Sequence, residues 1–207
     1  MKLYYFPVAP NPTKVLVYLA EKFGDFASSG LEFVRVNLPE GEQKTPEHLA
    51  RNAQGKLPVL ELEDGSYLNE SLAIIEYLEE LHPEPALIGN SAEERARVRS
   101  LERLVDVGVL MTGARAVHAT NSPLGLPANP PVAKDALEGL ERTLGYVDGW
   151  LGETPFVAGE SVTIADCTLW GALNFMGFFG IDPTPGFENV QRWKREFAER
   201  PSTTPPD

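Results

Sequence analysis

Residues 55–71 read GKLPVLELEDGSYLNES. Two apolar runs, Leu57–Leu62 and Tyr67–Leu68, flank the turn Glu63-Asp64-Gly65-Ser66. An Asp-Gly pair between apolar runs predicts a β-hairpin. A helical pattern follows from about Ser71 to Leu81, with Leu72, Ile75 and Leu78 on one stripe and Ile74, Leu78 and Leu81 on the next. Upstream, Leu3–Phe6 is apolar and aromatic, as a central strand should be. Pro12–Phe23 carries Leu16, Leu19, Ala20 and Phe23 at helical spacing, with Asn11 expected as N-cap and Pro12 at the first helical position. Leu31–Leu38 predicts a second strand, and Thr45–Arg51 a short helix opened by Thr45 and Pro46.

The order βαβαββα implies a small mixed sheet with a right-handed crossover, the layout of a thioredoxin-like domain. Pro83, Pro85 and Gly89-Asn90-Ser91 interrupt the pattern and predict a linker. Beyond it only helices are expected: Ala92–His118, with Leu101, Leu104, Val105 and Val109 turned inward, then Val132–Leu151, Ile164 to about Phe179, and Glu188–Glu199. Asn121–Pro131 reads as a proline-rich loop, Thr163-Ile164-Ala165-Asp166 as a capping box, and Ser202–Asp207 as a frayed tail. The expected fold is therefore α/β plus all-α. A thioredoxin-like domain spans 1–81, a linker 82–91 and a helical bundle 92–207.

A chain of 207 residues buries roughly 70% of its unfolded surface, enough for these two units. With 30 acidic against 18 basic residues, the net charge of −12 opposes a nucleic-acid or anionic-membrane partner. Cys167 is the only cysteine, which excludes an intrachain disulfide, a CxxC redox pair and a multi-cysteine zinc site; no metal is expected. The start, MKLYYFP, lacks a secretory pattern, and Cys167–Ile181 is too short and too polar at Asn174 to span a bilayer. A soluble, cytoplasmic protein is expected.

Four marks fall in order on the expected elements: KLYYFP at the start, Gly55–Leu60, Asn69-Glu70-Ser71 and Thr163–Asp166. Together they resemble the cytosolic glutathione transferases, bacterial members especially, over nearly the whole chain. The resemblance implies a homodimer that binds reduced glutathione as co-substrate and conjugates it to a small hydrophobic electrophile.

Glutathione carries two carboxylates, an ammonium and a thiol with a pKa near ~8.5 in water. A helix N-terminus attracts a carboxylate, and Ser71 opens one. The resemblance places Ser71 at the γ-glutamyl carboxylate and Glu70 at the γ-glutamyl ammonium, where the plainer reading is a capping pair. It also implies a cis Leu57–Pro58 bond that turns the Leu57 backbone toward the cysteinyl unit. Gln43, Lys44 and Lys56 are candidates for the glycyl carboxylate.

Members that stabilise the thiolate with Ser, Thr or Cys carry that residue in the loop after the first strand, and Ala9 stands there. A protein-cysteine mechanism is thereby excluded. Asn11, whose amide can cap and still donate, and Tyr5, at the position of the tyrosine-type classes, are the candidate substitutes, with Thr13 third. The resemblance implies that the fourth helix walls an electrophile pocket, where Val107, Met111, Arg115 and His118 recur at helical spacing; Val8 is a further candidate for that pocket. Two alternatives share the fold: a glutathione-dependent peroxidase or disulfide reductase, and a non-catalytic scaffold or stress-regulatory relative.

Overall fold

A computed structural model describes residues 1–206; Asp207, the last residue of the expected frayed tail, lies outside them. Strands β1 (Lys2–Tyr5), β2 (Glu32–Arg35), β3 (Val59–Glu61) and β4 (Tyr67–Asn69) form one sheet in the order β2-β1-β3-β4. β1 runs parallel to β2 and antiparallel to β3, and β3 pairs antiparallel with β4 across the Asp64-Gly65 turn. Side chains alternate across the pleat. Leu3 and Tyr5 enter the main core with Val15, Leu16 and Ile74, while Tyr4 packs with Val36 and Val59 on the opposite face.

Three helices complete this half: α1 (Pro10–Phe23), α2 (Pro46–Arg51) and α3 (Ser71–Leu81). α1 starts two residues earlier than its sequence pattern suggested. Ala9, not Asn11, is the N-cap and Pro10 takes the first helical position, so the side chain of Asn11 lies inside the first turn and makes no cap. The Thr13 hydroxyl turns back to the carbonyls of Pro7 (2.8 Å) and Ala9 (2.9 Å), closing the entry loop. Thr45 caps α2 as expected, accepting from the His48 N–H.

The remaining helices are α4 (Ala92–Val105), α5 (Thr112–Thr120), α6 (Pro130–Glu153), α7 (Ile164–Phe178) and α8 (Glu188–Ala198). Ala92–His118 is not one regular helix. Asp106–Met111 is a π-helical segment between α4 and α5; Val105 and Val109 are buried, whereas Leu104, expected inward, lies on the outer side of α4, away from the face of Val98, Glu102 and Val105. The expected capping box at Thr163 and Asp166 forms, and Asp166 also accepts from Trp193 Nε1 and the Val157 N–H. Cys167 is buried in the core. Among the described residues no helix is long and apolar enough to cross a membrane.

The two halves share one apolar core and are locked by buried polar groups. Lys14 of α1, fully buried, pairs with Glu102 (2.9 Å) and Asp106 (3.1 Å), and Thr168 of α7 also donates to Glu102. Gly171 lets α7 press on the start of α1, because a Cβ there would stand 2.8 Å from the Pro10 carbonyl oxygen. The tail is anchored rather than frayed at Ser202: its hydroxyl and the Arg200 guanidinium both bind Glu21 of α1.

Candidate active site

The sheet and its turns bring the N-termini of α1 and α3 together. Ser71, first residue of α3 and 6% exposed, donates its hydroxyl to Asn11 Oδ1 at 3.0 Å. That bond fixes the amide of Asn11, leaving Nδ2 as a donor beside the open N–H groups of α3. Glu70 occupies the N-cap of α3 with φ 70°, a left-handed conformation uncommon for a residue with a Cβ, and its carboxylate makes no cap. The capping-pair reading of Glu70 and Ser71 is therefore not the arrangement found. Such backbone conformations persist where a site requires them.

The Leu57–Pro58 bond is cis, at the entrance to β3. Pro58 is buried and Leu57 half-buried, and among the described residues no protein group bonds the Leu57 N–H or C=O. Gln43 is buried in the short turn Glu42–Lys44, its Oε1 without a partner among the described residues, whereas Lys44 and Lys56 are exposed. Gly55 packs against the Gln43 carbonyl, so that turn and the 52–57 loop form one rim.

Tyr5 is 2% exposed, packed in the core with its ring edge-on to Phe33 at 6.1 Å. Ala9 and half-buried Val8 lie in the loop that leads into α1. On the helical side, Val107 (56% exposed) and Met111 (53%) share the outer face of the π-helical segment. Arg115, one turn on, pairs with Asp135 of α6. Half-buried His118 meets the Ser122 hydroxyl through Nδ1 at 3.0 Å, and burial lowers its pKa. A surface cavity of about 620 Å3, lined by Ala119, Ala133 and Leu137, opens between α5 and α6 and contains none of these residues.

Residues 3–86 match the model of the glutathione S-transferase N-terminal domain, and residues 114–201 that of the C-terminal domain. Glutathione S-transferase 2 of Saccharomyces cerevisiae is 33% identical over 210 residues, covering 98% of this chain and 87% of its own. The chain belongs to the glutathione S-transferase family. GstA of Escherichia coli O157:H7 is 29% identical over 202 residues, covering 97% of this chain and 94% of its own. The crystal structure of a glutathione S-transferase domain-containing protein from Marinobacter aquaeolei superposes with a TM-score of 0.88 at 31% identity, over 99% of this chain and 100% of that one.

Three features of this glutathione S-transferase chain were absent from the sequence reading: the buried Lys14, the π-helical segment, and the pair His48 and Asn52 behind the 52–57 loop. Lys14 meets acids 88 and 92 residues away, which no local pattern reveals. His48 and Asn52 carried a weak signal, since Asn52 opens a turn three residues ahead of Gly55.

Proposed function

We propose that the chain is a glutathione S-transferase in which Asn11 Nδ2 stabilises the glutathione thiolate. The observation that carries this reading is the Ser71–Asn11 bond, which sets an amide donor beside a helix N-terminus suited to a carboxylate. A donor to a thiolate is worth ~1.5–3 kcal/mol, or about one to two pKa units, which raises the ionised share of the bound thiol at neutral pH from a few per cent to between about a quarter and three quarters. The thiol proton leaves to solvent. The sulfur then attacks the electrophilic carbon, forming a C–S bond while the leaving group departs with its bonding electrons; in an addition, the adjacent carbon takes up a proton.

Around that centre, the first N–H groups of α3, that of Ser71 included, receive the γ-glutamyl carboxylate and Glu70 its ammonium, while the single hydrogen of the Ser71 hydroxyl stays on Asn11. The Leu57 main chain pairs with the cysteinyl unit, and Gln43, Lys44 and Lys56 face the glycyl carboxylate. Val8, Val107 and Met111 provide the apolar wall for the electrophile, with Arg115 and His118 beyond it. Tyr5, in the core, supports the floor of the site rather than the sulfur. The glutathione domain spans 1–81, the linker 82–91 and the electrophile domain 92–207; family membership supports a cytosolic homodimer. Calorimetric titration with reduced glutathione, followed by product analysis with an aryl halide, tests the reading: micromolar to low-millimolar binding and a thioether product are expected. No binding at tens of millimolar overturns it.

A further inference from the structure

The carbonyl oxygen of Lys56 is held by two buried side chains. His48, 1% exposed, approaches it through Nε2 at 3.2 Å, and Asn52, 8% exposed, donates Nδ2 at 3.1 Å. A carbonyl only accepts, so Nε2 of His48 carries the hydrogen, and its Nδ1 is left buried with no partner among the described residues. Asn52 is further fixed by the Gln54 N–H on its Oδ1 (3.0 Å) and the Gly55 N–H on its carbonyl (2.8 Å). Lys56 is exposed, and a loop carbonyl on such a residue would ordinarily be satisfied by water. Here both acceptor positions of one oxygen are engaged from inside the protein, one residue before Leu57.

We infer that His48 and Asn52 are positioning residues for glutathione: by fixing the Lys56 carbonyl they fix the plane of the Lys56–Leu57 peptide, and with it the direction of the Leu57 N–H, which is open to a main-chain ligand. This rests on the function proposed above. The rim is held rigid on its protein side and open on the other. Ordering that precedes binding removes an entropic cost from the ligand's affinity. His48 and Asn52 touch neither the sulfur nor the electrophile, so their contribution falls on glutathione affinity and not on the chemical step.

The test is glutathione affinity by calorimetry, together with turnover at saturating glutathione, for wild type, His48→Gln, His48→Asn and Asn52→Ala. Gln places an N–H at the reach of Nε2; Asn places it at the reach of Nδ1. Losing one such bond should weaken glutathione binding about five- to tenfold in His48→Asn and Asn52→Ala. His48→Gln should stay within about threefold of wild type on the same scale, and turnover at saturation should hold within about twofold in all three. Equal affinity in His48→Gln and His48→Asn, or turnover that falls while affinity holds, overturns the inference. Because wild type is titrated alongside, failure of wild type itself to bind glutathione overturns the functional reading, and this inference with it.

Discussion

Ser71 and Asn11, 60 residues apart in sequence, are joined by a 3.0 Å hydrogen bond in which the serine hydroxyl donates to the amide oxygen. On the proposed reading, this bond ties the thiolate donor to the helix N-terminus that receives the carboxylate. Replacing Ser71 by Ala removes the hydroxyl and releases the Asn11 amide. A hydrogen bond between neutral groups is worth ~0.5–1.5 kcal/mol, so the glutathione Kd of Ser71→Ala should rise about two- to tenfold by calorimetry. Ser71→Thr should remain near wild type.

Lys14 is the only cation bonded to fully buried Glu102 within hydrogen-bond distance among the described residues; Arg103 lies 4.0 Å from its other oxygen. Lys14→Met leaves that carboxylate uncompensated and should destabilise the fold by about 3–5 kcal/mol in chemical denaturation. Adding Glu102→Gln and Asp106→Asn to Lys14→Met should recover most of that loss. A charge-neutral trio as unstable as the single variant would contradict the account.

At Gly171 two effects oppose each other. Alanine in a helix interior is favoured by about 1 kcal/mol over glycine. Its Cβ, however, would sit 2.8 Å from the Pro10 carbonyl oxygen, a backbone atom at the start of α1. Overpacking of that kind costs typically ~1–3 kcal/mol, so the clash should win. Gly171→Ala is expected to lower the denaturation midpoint, whereas Gly177→Ala, with open space around it, should not.

Burial raises the pKa of Glu21, but hydrogen bonds from Arg200 and Ser202 outweigh it and hold the carboxyl below its ordinary value of 4.5. A folded-state pKa below the unfolded one means that the stabilisation is present above pH 4.5 and lost as pH falls below it. Arg200→Met should therefore cost about 1 kcal/mol at neutral pH, discounted for the partial exposure of the arginine. Denaturation at stepped pH should show the difference from wild type shrinking in acid.

Much of the architecture was legible because its signals are local. The Asp64-Gly65 turn forms the β3–β4 hairpin, and Thr163 and Asp166 cap α7 through bonds three residues apart. Asn11 was misread as a cap because Pro10-Asn11-Pro12 offers two prolines suited to a first helical position, and the longer helix uses Pro10. The π-helical segment escaped because the spacing of Leu101, Leu104, Val105 and Val109 reads as unbroken α-helix. Lys14, and the burial of Ser202 against Glu21, depend on partners 88 to 181 residues distant, which periodicity cannot reveal. In the candidate site, types at fixed positions, Glu70 and Ser71 after a hairpin and Pro58 before a strand, were readable. The support that His48 and Asn52 give to the Lys56 carbonyl was not, because it is made by the tertiary fold.

The most direct test of the account is the pH titration of enzyme-bound glutathione, followed by the ultraviolet absorbance of its thiolate, in wild type and in Asn11→Ala. Free glutathione ionises near ~8.5. In wild type the midpoint should lie about one to two units lower, Asn11→Ala should return it toward the free value, and Tyr5→Phe should leave it in place. A wild-type midpoint at the free value, or one that Asn11→Ala does not move, would contradict the assignment of Asn11 as the thiolate donor.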